Sequence, residues 1–271
     1  MKSHLLLFIL FFLLLGGALT PRHIGKTVPA GNLLSDQVQV SPGTVSPNTH
    51  VDRGLILSGH PLSHLVFSGG WRKLGLPNPD SLSSEAKLRL AIQEFNAALE
   101  RKDDLQGYSD DQVHAFLGYA YTSLGTELQR QMEKASDKSG DLKNQSQEIF
   151  SQGFSHYRLA LISLPADLKY KIAIELAQAV ITSGDLNQAI KVINDLEQQQ
   201  LGPNPGSDHA LVRMKADIYW FMAREMDAAL AYEEWIKRGN TSNLLRPGGT
   251  LTERLKYLKE KTGRLSDFKV K

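Results

Sequence analysis

Two patterns of apolar residues divide the chain. Leu5 to Leu15 is an unbroken apolar run of eleven residues, which leaves a helix no polar face to show water. From Ser81 onward apolar residues return at three- and four-residue steps, the spacing that lines one helical face. Leu88, Ala91, Ile92, Phe95, Ala98 and Leu99 form one such set, and Val113, Phe116, Leu117, Ala120, Tyr121 and Leu124 the next. Ser109 with Gln112, Asp185 with Gln188 and Thr250 with Glu253 read as capping boxes that open helices. Gly184, Gly202 and Gly239 stand where left-handed helix ends favour glycine. About eight helices are expected from Ser81 on.

Between these regions Pro29, Pro42, Pro47, Pro61, Pro77 and Pro79 are scattered among Gly, Ser and Thr. That composition predicts a tether over 22–80 that propagates no helix. A short apolar patch over 62–71 is expected to dock on the domain or form a strand-like turn. His60 and His64 flank Pro61, which breaks any helical spacing between them, so they read as packed or solvated side chains and not as a metal pair.

The amino terminus carries an address. Lys2 precedes the apolar run, and Gly16 and Ala18 follow it as small residues, the three parts of a secretory signal peptide. A retained anchor fits equally well. Nineteen residues without Asp, Glu, Lys or Arg separate Lys2 from Arg22, and as a helix they would reach roughly 28 Å, close to a hydrocarbon core. Export to the extracytoplasmic side of a cell envelope is expected either way, with residues 1–21 as leader or membrane anchor.

The helical region resembles the tetratricopeptide-repeat family. There a unit of about 34 residues folds as two antiparallel helices, marked by a leucine-small pair and an aromatic on the first, and a small residue and an aromatic on the second. Leu117, Gly118 and Tyr121 match the first set; Gly153, Tyr157, Ala160 and Pro165 match the second. Residues 134–145, polar and turn-rich, separate the halves and predict a lengthened first helix with a flexible loop. Leu176, Ala177, Gly184, Ala189 and Ile193 make the cleanest unit. Ala216, Tyr219, Ala228, Tyr232 and Trp235 make another, and Ala91, Phe95 and Ala98 look like a second helix whose first is missing. The resemblance implies an all-α fold, with antiparallel helix pairs stacked as a short α-solenoid over 81–249. Residues 250–271 follow as a capping helix with a basic tail.

Charge and chemistry narrow the function. Thirty-one Lys and Arg nearly balance 29 Asp and Glu, so no overall field draws the chain to nucleic acid. Cysteine is absent, which removes disulfides and thiolate chemistry. Gly25, Lys26 and Thr27 lack the first glycine of a phosphate loop, whose place Thr20 takes, and no zinc, nucleophile-elbow or dinucleotide motif occurs. Adjacent acidic pairs such as Asp110 and Asp111 or Glu233 and Glu234 diverge by about 100° on a helix and read as surface charges. His114, His156 and His209 fall in separate helices without acidic companions nearby in sequence and read as packed or solvated.

What remains is binding. In the family this chain resembles, first helices line a concave groove that holds another polypeptide. Carried over, the resemblance implies a partner-binding set of Gln112, Tyr119, Thr122, Lys171, Gln178, Arg213, Asp217 and Trp220. Aromatics and arginine carry much of the energy at protein interfaces, which singles out Tyr119 and Trp220. The expectation is a non-enzymatic scaffold or assembly factor of the envelope with no cofactor; the alternative is a helical hydrolase or an accessory subunit of an enzyme.

Overall fold

The computed structural model describes residues 45–63, 70–135, 139–198, 209–238 and 249–265. The leader over 1–21, the glycines at 202 and 239, His64 and the tail after Leu265 lie outside the described residues. Every regular element described is helical: α1 (Pro47–Ser58), α2 (Gly70–Lys73), α3 (Ser84–Leu99), α4 (Asp110–Lys134), α5 (Ser139–Ser163), α6 (Ala166–Thr182), α7 (Leu186–Gln198), α8 (His209–Phe221), α9 (Glu225–Arg238) and α10 (Thr250–Thr262). Two short 3-10 turns, Pro79–Ser81 and Lys102–Asp104, flank α3. None of the described helices is long and apolar enough to cross a membrane.

Local signals account for most boundaries. Ser109 and Gln112 close a full capping box at the start of α4, and Asp185 accepts from the Gln188 amide at 2.9 Å before α7. Gly184 turns out of α6 with φ +86°, a conformation that costs glycine little. Thr250 departs from expectation. It is the first residue of α10, and Gly249 occupies the cap without a side-chain bond.

The tether expected over 22–80 needs correction, because α1 lies inside it. Pro47 sits at the first helical position, where its missing N–H has no helical partner to lose and its fixed φ suits the helix. Ser46 accepts from the Thr49 amide at 3.2 Å, and Gly59 ends the helix at φ +65°. Val51, Leu55 and Leu57 are buried in one core with Phe95 of α3 and Leu117 of α4. Each such side chain contributes about 1.5–3 kcal/mol when fully buried. The compact unit therefore begins at Val45, and a boundary at residue 81 would cut through its core.

The gap expected over 134–145 also closes. Helix α4 does run on to Lys134, but α5 already begins at Ser139, so polar composition marks the outer faces of two long helices. These run antiparallel, joined by a ladder of small residues against larger ones. A Cβ on Gly118 would lie 2.7 Å from the Tyr157 ring, one on Gly125 2.8 Å from Phe150, and one on Gly153 2.6 Å from the Thr122 methyl. Gly54 of α1 receives the Phe95 ring in the same way, at 2.5 Å. Further along, Ala216, Ala228, Ala229, Tyr232 and Trp235 of α8 and α9 pack with Leu251, Leu255 and Leu258 of α10. From α4 to α10 each helix packs on its predecessor in the chain, and α1 packs on α3 and α4.

Candidate functional site

Helices α4, α5 and α6 meet at a junction of polar groups. Close approach at Gly118 drives Tyr157 through the α4–α5 contact, and its hydroxyl donates to Glu175 Oε2 of α6 at 3.3 Å. Burial pushes the Glu175 carboxyl up to about 6, against a smaller opposing effect of the Tyr157 hydroxyl. Tyr157 itself rises well above the usual phenol range, through burial first and the neighbouring carboxylate second. The junction thus holds a carboxyl that exchanges its proton near pH 6 beside a hydroxyl donor. Tyr119 of α4 borders it and carries His60 edge-on at 4.7 Å. The His60 ring also meets Phe116 at 5.0 Å, and burial holds its pKa down at about 4.

A second polar cluster joins α8, α9 and α10. Asp217 is 8 % exposed and accepts from the Tyr232 hydroxyl and from Arg254 Nη1 at 2.5 Å. Arg254 Nη1 also lies 2.7 Å from the Tyr232 oxygen. Its guanidinium covers the Trp220 ring at 5.1 Å and the Phe221 ring at 5.3 Å. Trp220 meets Tyr257 edge-on at 5.5 Å. Arg213 stands over Trp235 at 5.5 Å and reaches Asp217 at 3.8 Å.

The eight expected groove residues separate into three groups. Lys171 and Gln178 are exposed on α6. Gln112, Tyr119, Arg213 and Trp220 are half-buried and already engaged: Gln112 in its capping box, Tyr119 against His60, Arg213 over Trp235, and Trp220 under Arg254. Thr122 and Asp217 are buried. The Thr122 hydroxyl donates back to Gly118 O at 2.9 Å and its methyl faces Gly153, so the place assigned to it in a groove belongs to the helix contact. Asp217 points into the cluster with Tyr232 and Arg254.

Sequence reasoning passed over Glu175, although a signal was present. It lies four residues after Lys171 and three before Gln178, which puts all three on one face of α6. Tyr157 stands in the sequence as a repeat mark of the helix contact, and no sequence signal sets Arg254 apart from the other basic residues of α10. Among the described residues no group of three or more His, Asp or Glu is gathered for a metal ion. Comparison with protein-family models, curated proteins and solved structures finds no match to this chain.

Proposed function

We propose that the chain is a tetratricopeptide-like scaffold of the cell envelope that holds a segment of a partner polypeptide across α4, α6 and α8. The carrying observation is the repeated joint of a small residue on one helix against an aromatic on the next, at Gly54 with Phe95 and Gly118 with Tyr157. In the family this chain resembles, that joint stacks helix pairs and leaves first helices side by side. Under this reading α1 is the first helix expected to be missing before Ala91, Phe95 and Ala98. The binding face then centres on Lys171, Glu175 and Gln178 of α6, with Tyr119 on one side and Arg213 and Trp220 on the other. Glu175, half protonated near pH 6, would accept or donate a hydrogen bond to a peptide group. The leader over 1–21 supports an extracytoplasmic setting, where it acts as signal or anchor.

A hydrolase reading draws on Glu175 alone, because a carboxyl held up to about 6 suits a general acid. The scaffold reading is favoured because Lys171 and Gln178 extend the same face without adding a second acid. A photocrosslinker placed at Gln178 is expected to trap one polypeptide of fixed mass in the source cells. The same group at Lys191, exposed on α7, is expected to trap none of it. Equal labelling from both positions, or none from Gln178, would remove the reading.

A further inference from the structure

The junction of α4, α5 and α6 holds a carboxyl that its own chain leaves half satisfied. The Tyr157 hydroxyl engages Glu175 Oε2 at 3.3 Å, and the other oxygen keeps its lone pairs for a further donor. Glu175 and Tyr119 are both half-buried, so solvent reaches them, and the Glu175 charge acts on the Tyr119 hydroxyl, which Ser123 holds. Among the described residues no cation pairs with the carboxyl. Lys171, one turn earlier on α6, is exposed and does not act on it; burial and the Tyr157 hydroxyl do. A carboxylate drawn out of water without a counter-charge is costly, and an arriving cation removes that cost.

We propose that Glu175, with Tyr119 beside it, seats the ammonium of a lysine side chain carried by the bound segment; this rests on the reading that α6 faces the partner. A neutral peptide group would hydrogen-bond the carboxyl in either protonation state, but only a cation gains from its charge. Donor geometry selects lysine over arginine. Tyr157 already holds Oε2, so the planar fork of a guanidinium finds one oxygen free, whereas an ammonium is a point charge that needs one. The Tyr119 ring attracts the same ammonium if it settles within about 6 Å of the ring centre. Capture also depends on pH. The Glu175 carboxyl ionises at about 6, and a cation favours the ionised form, so binding is gained as pH rises through that value and lost as it falls. The other groups at the junction keep their charge state. Burial holds Tyr119 and Tyr157 above the usual phenol range, and His60, packed on Tyr119, stays neutral above about 4. His114 and His156, hydrogen-bonded through Nδ1 at 3.0 Å across α4 and α5, are likewise held down by burial.

The test starts from the full chain with the photocrosslinker at Gln178, and identifies the polypeptide it traps in the source cells by mass spectrometry. A zero-length carbodiimide, which condenses a carboxylate with an amine in contact, should then join Glu175 to one lysine of that polypeptide through an amide. With the purified partner, half-maximal binding to Glu175→Gln should need at least about tenfold more of it than binding to the wild type near pH 7.5. The difference should close as the pH falls to 5. Glu148→Gln, exposed on α5, should bind as the wild type does at both pH values. Glu175→Gln keeps an acceptor for the Tyr157 hydroxyl, and circular dichroism checks that its helices are intact. Equal binding by Glu175→Gln and wild type, a loss of the same size at both pH values, or no amide between Glu175 and a lysine would each overturn the ammonium seat and leave the scaffold reading standing. No polypeptide trapped from Gln178 would overturn both.

Discussion

The α1–α5 region and the α8–α10 region join their helices by different means. In the first, aromatic rings enter spaces left by glycine: Phe95 at Gly54, Tyr157 at Gly118 and Phe150 at Gly125. In the second, alanines line the contact and a buried cluster of Asp217, Tyr232 and Arg254 ties three helices together. A ring against a backbone gains dispersion over many atoms and tolerates little added volume. A buried charged cluster gains little net stability but makes any other arrangement costly, since one partner alone would be buried unpaired. The first region should therefore resist added bulk, and the second should resist loss of a partner.

The largest effect is expected at the polar cluster. Asp217→Ala leaves Arg254 and the Tyr232 hydroxyl without their acceptor, and denaturant titration should show a loss of about 3–5 kcal/mol. Replacing the pair together, Asp217→Leu with Arg254→Met, should recover most of it. Unchanged stability of Asp217→Ala would mean that the cluster holds nothing together. At the glycine contacts, Gly118→Val should lower stability by about 1–3 kcal/mol, because its Cβ would meet the buried Tyr157 ring at 2.7 Å. Gly140→Ala, where nothing lies within 4 Å, should instead gain up to about 1 kcal/mol. A gain at both sites would refute the tight-contact account.

A further effect, smaller than that at Asp217, concerns protons at the junction of α4, α5 and α6. The Glu175 carboxyl is raised from 4.5 to about 6 in the folded chain. Between those values the folded state binds more protons than the unfolded one, so its contribution falls as pH rises from 4.5 to 6 and stays lost above that. The cost at pH 7 is at most about 2 kcal/mol. Glu175→Gln keeps an acceptor for the Tyr157 hydroxyl and carries no charge, so it should stabilise the protein at pH 7 and leave it unchanged near pH 4. His60 and His156, held at about 4 by burial, add stability as pH rises from 4 to 6.5. The difference between variant and wild type therefore isolates Glu175. Equal differences at both pH values would show that the carboxyl is not perturbed.

Much of the helical pattern was legible because it is local. The Ser109 and Gln112 box, the turn at Gly184 and the buried faces of α3 and α4 each follow from residues within a few positions of one another. Helix α1 was hidden by reading proline as composition. Pro47 and Pro61 stand fourteen residues apart, and the span between them is free for a helix. Gly54 was the overlooked small residue. The groove set failed at Thr122 and Asp217 for a different reason. A helix packed on both sides buries a broad face, so one step from a packing position reaches another contact as readily as solvent. His114 and His156 are 42 residues apart, a distance across which no periodicity speaks. His114 does have acidic companions, since Asp110 and Asp111 precede it by four and three residues.

Packing in chain order has a consequence for how the molecule comes into being. Contacts between successive helices ask for short loop closures, which favours quick assembly from many starting points over one late global collapse. Even α1 reaches across a modest span, as where the Gln106 amide donates to Asn48 at 2.9 Å across 58 residues. During synthesis the α4–α5 hairpin can close before α8 exists. The α8–α9 pair then waits for α10, and until Arg254 and Tyr257 arrive, Trp220 lacks the groups that cover it and Asp217 has only Tyr232 and Arg213 as partners. Helix α10 is thus the one whose arrival completes the polar cluster, and a nascent chain halted before it would present the uncovered Trp220 ring to quality-control factors.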